Sequence, residues 1–472
     1  MMADMDTIVL SGHDLTREEL VSVARCGAQI EIAPGSLAAM ARARTVADRA
    51  IAAETPAYGV TTGVGSRKAF RIEGAGHDRL LVRQHLIAQG PPVAHDIVRA
   101  TALRLGNALL SATTVARPEL AVHVIEALNH DRLPAIRALG SIGQSDLAQM
   151  ADLANGLLDG FELVQGEAIT LLNQNAFSTA LGALAITDAR VLLEALDCAG
   201  ALDLEALGAN RDSIHPAVGR SRPYPGLIAT IERLNELLDG SEVEARSLQD
   251  PLSFRTLAQL HGAARDAMSF VETQLRIELN AAQSNPLVLV DEDRMISVGN
   301  FDIQPLATAL DLARLALAPV ITSAAERAVK LLQAPLTGLP EGLGAHSALA
   351  ESGLSELGIA VQAFAAEARL LAQPVSFEIV STTQAEGIED RMTMAPLGAR
   401  RLDAMVELGA RVVSVELLLA AQACDLRGVK LGSGTSAVHA AVRRFAPFLD
   451  EGDVLPDLEL LVDAIRSGGI RA

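Results

Sequence analysis

The sequence predicts an all-α protein, a bundle of long helices with a smaller, loop-rich N-terminal portion. Three observations predict it. From about Asp78 onward Ala, Leu, Glu and Arg dominate, and all four favour helices. Residues 398–426 carry two apolar stripes: Met405, Leu408, Val412, Val415 and Leu419 recur at three- and four-residue spacing, and Leu402, Val406, Val413 and Leu417 line a second face. A helix apolar on two sides is buried from two sides, at the centre of a bundle or in an oligomer interface. Nearer the N-terminus, TPAYGVTTGVGSR sets glycines at 59, 63 and 65, a loop signal, because glycine takes backbone angles other residues avoid.

In chain order, Asp6–Leu10 reads as a short strand. SGHDLTREELVSVA follows, where Ser11 or Asp14 caps a helix whose first turn holds acids. Ser36–Thr55 is a second helix, and the glycine loop comes next. Beyond Asp78 helix follows helix, with Thr308–Lys330 and Gly398–Leu426 the longest. Pro319 sits inside the first of these and predicts a kink or break. There is no repeat, low-complexity tract or linker rich in Pro, Gly and Ser.

Composition excludes several function classes. The formal net charge is −19, from 39 basic and 58 acidic residues, which argues against a nucleic-acid partner. Cys26, Cys198 and Cys424 are too few and too scattered for a disulfide framework or a cysteine zinc site, and they fit a reducing cytoplasm. No HExxH, paired CxxC or EF-hand spacing marks a metal, and GxxxxGK[ST] is absent. The first residues lack an apolar core of signal-peptide length. The longest uncharged run, 168–187, contains Thr170, Asn173, Gln174, Asn175, Ser178 and Thr179, too polar to rest in lipid without partners. A soluble cytoplasmic protein without a membrane partner is expected.

Seven segments set polar groups in apolar surroundings. They are AYGVTTGVG around Tyr58, GSIGQSDLAQMADL at 140–153, LLNQNAFSTALG at 171–182, SLQDPLSFR at 247–255, SNPLV at 284–288, VGNFDIQP at 298–305 and GIEDRMTMAP at 387–396. Together and in this order they resemble the aromatic amino acid ammonia-lyase family, which includes histidine and phenylalanine ammonia-lyases. The resemblance runs from about Tyr58 to Arg427. It implies an ammonia-lyase-like helix bundle, divided as 1–200, an N-terminal active-site portion, and 201–472, the long-helix bundle with C-terminal helices. It further implies a homotetramer whose active sites draw on more than one subunit.

The sequence departs from the family at the most chemical place. Members that form the methylidene-imidazolone electrophile do so from Ala-Ser-Gly, usually followed by Asp-Leu. Here Gly143 is followed by Gln144, Ser145, Asp146 and Leu147: one residue is missing, Ala is replaced and the Gly is gone. Closure needs a backbone nitrogen to attack a carbonyl two residues back, and a side chain on the attacking residue crowds that approach. The expected cofactor content is therefore none. Leu252 stands where many relatives carry Tyr, and Ile388 precedes Glu389 where many have Gln.

The candidate residues follow. Tyr58 lies in the glycine loop and is the expected base; to serve near neutral pH its phenol must be pulled below its ordinary value of about 10. A tyrosine packed under a loop is the plain alternative. Arg255 is expected to grip a substrate carboxylate with two parallel hydrogen bonds, unless it is an ordinary helix-surface arginine. Asn173 and Asn300 are expected to bind substrate, with structural amide networks as the rival, and Phe301 to form wall. Glu389 is expected to hold an imidazole or ammonium group or to move a proton; the alternative is an ion pair with Arg391 or a capped helix start. His85 matches a family histidine in position and is a further binding candidate, although a lone helix histidine is more often packed. Ser145 and Asp146 are either hydrogen-bonding groups at the floor of the site or a turn ahead of a helix.

The resemblance implies 1,2-elimination of an amine from an α-amino acid to give an α,β-unsaturated acid. Without the electrophile, a trimethylammonio betaine is the substrate that resolves the difficulty, because its amine leaves neutral without a proton transfer. An ergothionase-like carbon–nitrogen lyase acting on an aromatic or imidazole-bearing amino acid or its betaine is the reading. The rivals are a conventional histidine or aromatic amino acid ammonia-lyase and a non-catalytic metabolite-binding relative.

Overall fold

The computed structural model describes residues 7–72, 76–345, 353–377, 384–450 and 453–471. In chain order, β1 (Thr7–Leu10) leads to α1 (Arg17–Val21), β2 (Gln29–Ile32), α2 (Ser36–Ala52), α3 (His77–Gln84), β3 (Gln89–Pro92) and α4 (His95–Leu110). Then come α5 (Pro118–Asn129), β4 (Arg137–Leu139), α6 (Leu147–Leu157), α7 (Glu167–Leu172) and the 32-residue α8 (Ala176–Leu207). The later chain forms α9 (Pro216–Ser221), α10 (Pro225–Leu237), α11 (Leu252–Arg255), α12 (Leu257–Glu278), β5 (Leu287–Leu289), β6 (Arg294–Ile296) and α13 (Gln304–Leu331). It closes with α14 (Ala334–Thr337), α15 (Leu357–Leu371), α16 (Ala395–Arg427), α17 (Ser433–Arg443) and α18 (Glu459–Arg466). The fold is all-α, as composition predicts. Its strands form three two-stranded sheets among the described residues: β1 with β2 in parallel, β3 with β4 and β5 with β6 antiparallel.

Three local expectations change. The first helix is capped by Thr16, not by Ser11 or Asp14: Thr16 Oγ1 accepts from Glu19 N at 3.2 Å, and Glu19 Oε2 accepts from Thr16 N at 2.8 Å. This reciprocal box satisfies two donors at once, while Ser11 and Asp14 bond to each other. Helix α2 stops at Ala52 rather than Thr55, because Glu54 turns into the left-handed region at φ 52°. Pro319 does not break α13, which runs from Gln304 to Leu331 through it. Proline removes one rung, at the carbonyl of Leu315, and the rungs on either side carry the helix on.

The chain forms two compact units, each interleaved along the sequence. The first comprises Met1–Leu184, Glu272–Leu310 and Pro374–Arg400; the second comprises Ala185–Val271, Asp311–Gln373 and Arg401–Ala472. In the first unit α4 is buried along almost its whole length, including four polar side chains, Arg99, Thr101, Arg104 and Asn107. Arg104 Nε donates to Glu278 O at 3.0 Å, and Asn107 Nδ2 to Leu279 O at 3.0 Å. The last two bonds close the C-terminal end of α12, whose last carbonyls have no helical donor. Gly12 passes so close to α4 that a Cβ there would stand 2.5 Å from Ser111 N.

In the second unit the two apolar stripes of α16 are both buried, apart from half-buried Leu408, so within this one chain the helix lies in the bundle interior. At Gly409 a Cβ would meet Leu192 of α8 at 2.6 Å and Ile321 of α13 at 3.1 Å, so three helices converge on one glycine. Beside them Arg327 donates to Asp203 Oδ2 at 2.7 Å and to Glu416 Oε1 at 2.6 and 2.9 Å, all three side chains fully buried. Among the described residues two stretches, Glu167–Leu207 and Gln304–Leu331, are long and apolar enough to cross a membrane, with mean hydropathy 1.4 each. Their most apolar windows are 83% and 67% buried inside the protein, which marks them as core helices.

Candidate active site

The first unit contains every predicted site residue except Arg255. Tyr58 follows α2 in a tight turn, where Val60, Thr61 and Thr62 all donate to the Ala57 carbonyl. Glycine is required at position 59: its φ is +67°, and a Cβ would lie 2.7 Å from the Ile169 side chain on α7. The tyrosine turn is thereby held on the helix that ends at Asn173. Tyr58 is half-buried, and its hydroxyl accepts from Gly65 N at 2.9 Å.

Burial pushes the Tyr58 phenol above its ordinary value. The Gly65 N–H opposes this, while the negative charge of Glu389 pushes the same way. The pair that sequence reading treated separately is therefore in electrostatic contact. The expected lowering is not found: among the described residues the Gly65 N–H is the influence that lowers the phenol, and burial outweighs it.

The altered loop is hydrogen-bonded to the segments around it. Ser145 is buried with φ +61°, and its Oγ donates to Asn173 Oδ1. Asn173 Nδ2 donates to Asn285 O at 2.9 Å. Gln144 Nε2 reaches Asp302 Oδ2 at 3.0 Å, and Asp302 in turn pairs with Arg391 at 3.4 Å. Asp146 precedes α6 but gives that helix no side-chain cap. Its backbone N–H donates to Gln174 O at 2.8 Å, and its Oδ2 accepts from Ser178 N at 2.7 Å and Ser178 Oγ at 2.8 Å, at the start of α8. Burial raises the Asp146 carboxyl to about 7 against the pull of these Ser178 donors and of Phe177 N–H.

The segment carrying Glu389 is stitched to the same loop. Thr393 Oγ1 donates to Gly143 O at 2.8 Å, and Met394 N to Ile142 O at 2.9 Å. Gly143 has φ +83°, and a Cβ would stand 2.2 Å from Thr393 Oγ1. Gly143→Ala is accordingly expected to part these two segments, lowering stability by about 1–3 kcal/mol through backbone strain and reducing turnover with it. Equal melting temperature and kcat in variant and wild type would refute this coupling.

The remaining candidates stand as follows. Asn300 is exposed, although the neighbouring Phe301 carbonyl accepts from Asn175 Nδ2 at 2.6 Å. His85 ends α3, half-buried, with Nδ1 2.8 Å from Leu81 O. Arg255 belongs to the second unit, where its guanidinium donates to Gln249 and its buried Nε has no partner. Leu252 beside it is exposed.

Sequence reading missed Asp302, Thr393, Asn285 and Asp78. Asp302 and Asn285 sat inside quoted segments, and a carboxylate or amide between apolar residues was the available signal. Asp78 gave none: it is buried, and its Oδ1 accepts from Gly166 N at 3.0 Å and Ala168 N at 2.8 Å, capping α7 from another helix. Among the described residues no group of three or more His, Cys, Asp and Glu could hold a metal ion.

The model of the aromatic amino acid lyase family matches residues 15–163 and 158–444 of this chain. The histidine ammonia-lyase of Deinococcus radiodurans is 33% identical, covering 97% of this chain and 93% of its own length. That of Symbiobacterium thermophilum is also 33% identical, covering 99% and 98%. Among solved structures, ergothionase from Treponema denticola, in complex with desmethyl-ergothioneine sulfonic acid, superposes with a TM-score of 0.92 at 26% identity, covering 98% of this chain and 99% of that one. Histidine ammonia-lyase from Trypanosoma cruzi gives 0.89 at 27% identity, covering 98% and 94%.

Proposed function

This chain belongs to the aromatic amino acid lyase family and is a carbon–nitrogen lyase, and from that premise we propose that it eliminates an amine from an imidazole-bearing or aromatic α-amino betaine without a methylidene-imidazolone group. The observation that carries this reading is the altered loop. The methylidene-imidazolone does not fit the residues present: the nitrogen that would close the ring belongs to Asp146, whose N–H is engaged by Gln174 O and whose side chain is buried against Ser178. The serine that would lose water is turned onto Asn173.

In this reading Tyr58 removes the β-proton as the Cα–N bond breaks, so that betaine gives acrylate, trimethylamine and a proton. The substrate's fixed positive charge supplies the lowering that a tyrosine base needs. Placed beside Tyr58 and Glu389, it offsets the Glu389 charge and draws the phenol's pKa down. A carboxylate also answers how a chain with 3% aromatic residues could hold a quaternary ammonium without an aromatic cage. Arg255 binds the substrate carboxylate, and Asn173, Asn300 and His85 orient the remainder.

A homotetramer belongs to the same reading. In the second unit Leu248 and Leu252 are 82% and 64% exposed, and Ile359 and Leu370 on α15 are 70% and 75% exposed. Apolar side chains so exposed support burial in an assembly. The three free thiols fit a cytoplasmic protein.

A conventional histidine ammonia-lyase is the second reading, favoured by the names of the relatives at 33% identity. One experiment separates them. Purified protein is offered histidine, phenylalanine and tyrosine beside their trimethylammonio betaines, including the thiolated imidazole one, while acrylate absorbance is followed and intact mass is measured. Turnover of betaines alone at the unmodified mass is expected. Turnover of free amino acids, or a mass lower by two waters, would establish the conventional enzyme instead.

A further inference from the structure

We propose that the neutral carboxylic acid is the form of Asp146 that supports the site, and that in this form it positions Ser145 and Asn173. The positioning role rests on the active-site reading above; the protonation stands on geometry of its own. One carboxyl oxygen, Oδ2, takes both donors of Ser178. The other, Oδ1, is fully buried without any hydrogen-bond partner. Gln149 Oε1, Gln174 Oε1 and Asn175 Oδ1, on the segments that follow and contact this loop, are likewise buried and unpartnered. A buried carboxylate oxygen without a partner forfeits its hydration, whereas a protonated carboxyl is uncharged and costs far less to bury.

Among the described residues no charged side chain figures among the influences on this carboxyl, which are burial and the Ser178 and Phe177 donors. On α6, Asp152 is paired with Arg137 at 2.9 Å; on α7, Glu167 is paired with Arg117 at 2.9 Å. Asp302 faces Arg391, Glu278 accepts from Gln283 at 2.8 Å, and Asp78 on α3 is occupied by two backbone donors. The Ser178 donors and the two adjacent helix N-termini favour the anion, and burial outweighs them, which is why the carboxyl stands at about 7.

The consequence is mechanical. Asp146 joins the altered loop to α8 through Ser178 and to the Asn173–Asn175 segment through Gln174 O. Ser145, held in the left-handed region, is adjacent and donates to Asn173. Ionising Asp146 places an unsolvated charge behind that contact and loosens both residues.

The test is Asp146→Asn in the whole protein, because asparagine keeps the shape of the neutral acid and cannot ionise. A folded carboxyl near 7 against an unfolded value near 3.8 means the folded state holds a proton that the unfolded state releases. The wild type is therefore expected to lose stability relative to the variant as pH rises from about 4 to about 7, by roughly a thousandfold in the folding equilibrium. With a turned-over substrate, wild-type kcat is expected to fall above about pH 7, and the variant to lose that descent. A stability ratio independent of pH would overturn the protonation whatever the substrate. Loss of turnover at every pH in a folded variant would show that the carboxylate is needed and overturn the positioning role. If no amine substrate reacts with either protein while the stability ratio shifts as stated, the proton assignment is supported and the functional reading falls.

Discussion

Replacing Tyr58 by phenylalanine is expected to lower kcat by about 10²–10⁴-fold, the usual contribution of a positioned acid or base. In the proposed mechanism the phenol takes the β-proton; it is half-buried and fixed by Gly65 N–H at 2.9 Å. The fold should tolerate the change, since the variant loses one hydrogen bond of about 1 kcal/mol and keeps the ring. Measurement of kcat and KM on the reacting substrate, beside a melting curve, checks this. Turnover within a few fold of wild type would remove Tyr58 from the mechanism. Because Glu389 pushes the phenol upward, Glu389→Gln relieves that push, and a Tyr58-dependent limb of the pH profile moves to lower pH with it.

The largest effect on stability is expected in the second unit, at Arg327. Its guanidinium lies between Asp203 and Glu416 with no solvent access to any of the three. Arg327→Met leaves two buried carboxylates facing each other, and breaking such a cluster destabilises by about 3–5 kcal/mol. Denaturant unfolding reads this directly, and a variant as stable as wild type would mean the cluster is already neutral without its arginine. A pH dependence accompanies it. Burial first, then the Glu416 charge, hold the Asp203 carboxyl well above the usual carboxylate range, against the pull of Arg327. The folded state thus keeps a proton that the unfolded state gives up, so this site's contribution falls as pH rises from the ordinary carboxylate range towards the folded value. Asp203→Asn carries the hydrogen permanently and flattens that slope.

Much of the fold was legible because its signals are local. The stripes of α16, the alanine-rich helices and the glycine turn at Tyr58 each depend on residues close in sequence, and helix propensity and periodicity report such features. The capping error has the same origin. Ser11, Asp14 and Thr16 are all acceptable caps, and only the Glu19 side chain folding back onto Thr16 selects among them. Pro319 looked like a breaker because its cost is local, whereas the burial that holds α13 together around it is not.

The candidate site divides along the same line. The sequence by itself determined the family, the bundle of long helices, the residue types available for chemistry and the loss of Ala-Ser-Gly between Gly143 and Leu147. Those follow from the order of residues and survive any arrangement of the helices. Only the tertiary structure decided that Glu389 acts on Tyr58, that Thr393 ties its segment to Gly143, and that Asp146 turns away from its own helix to hold Ser178. It also interleaved the chain, drawing three separated stretches into each compact unit. The physical reason is range: propensity and periodicity act over a few residues, while burial and charge act through space. A carboxyl's protonation is set by what surrounds it after folding, and no run of letters around Asp146 contains that.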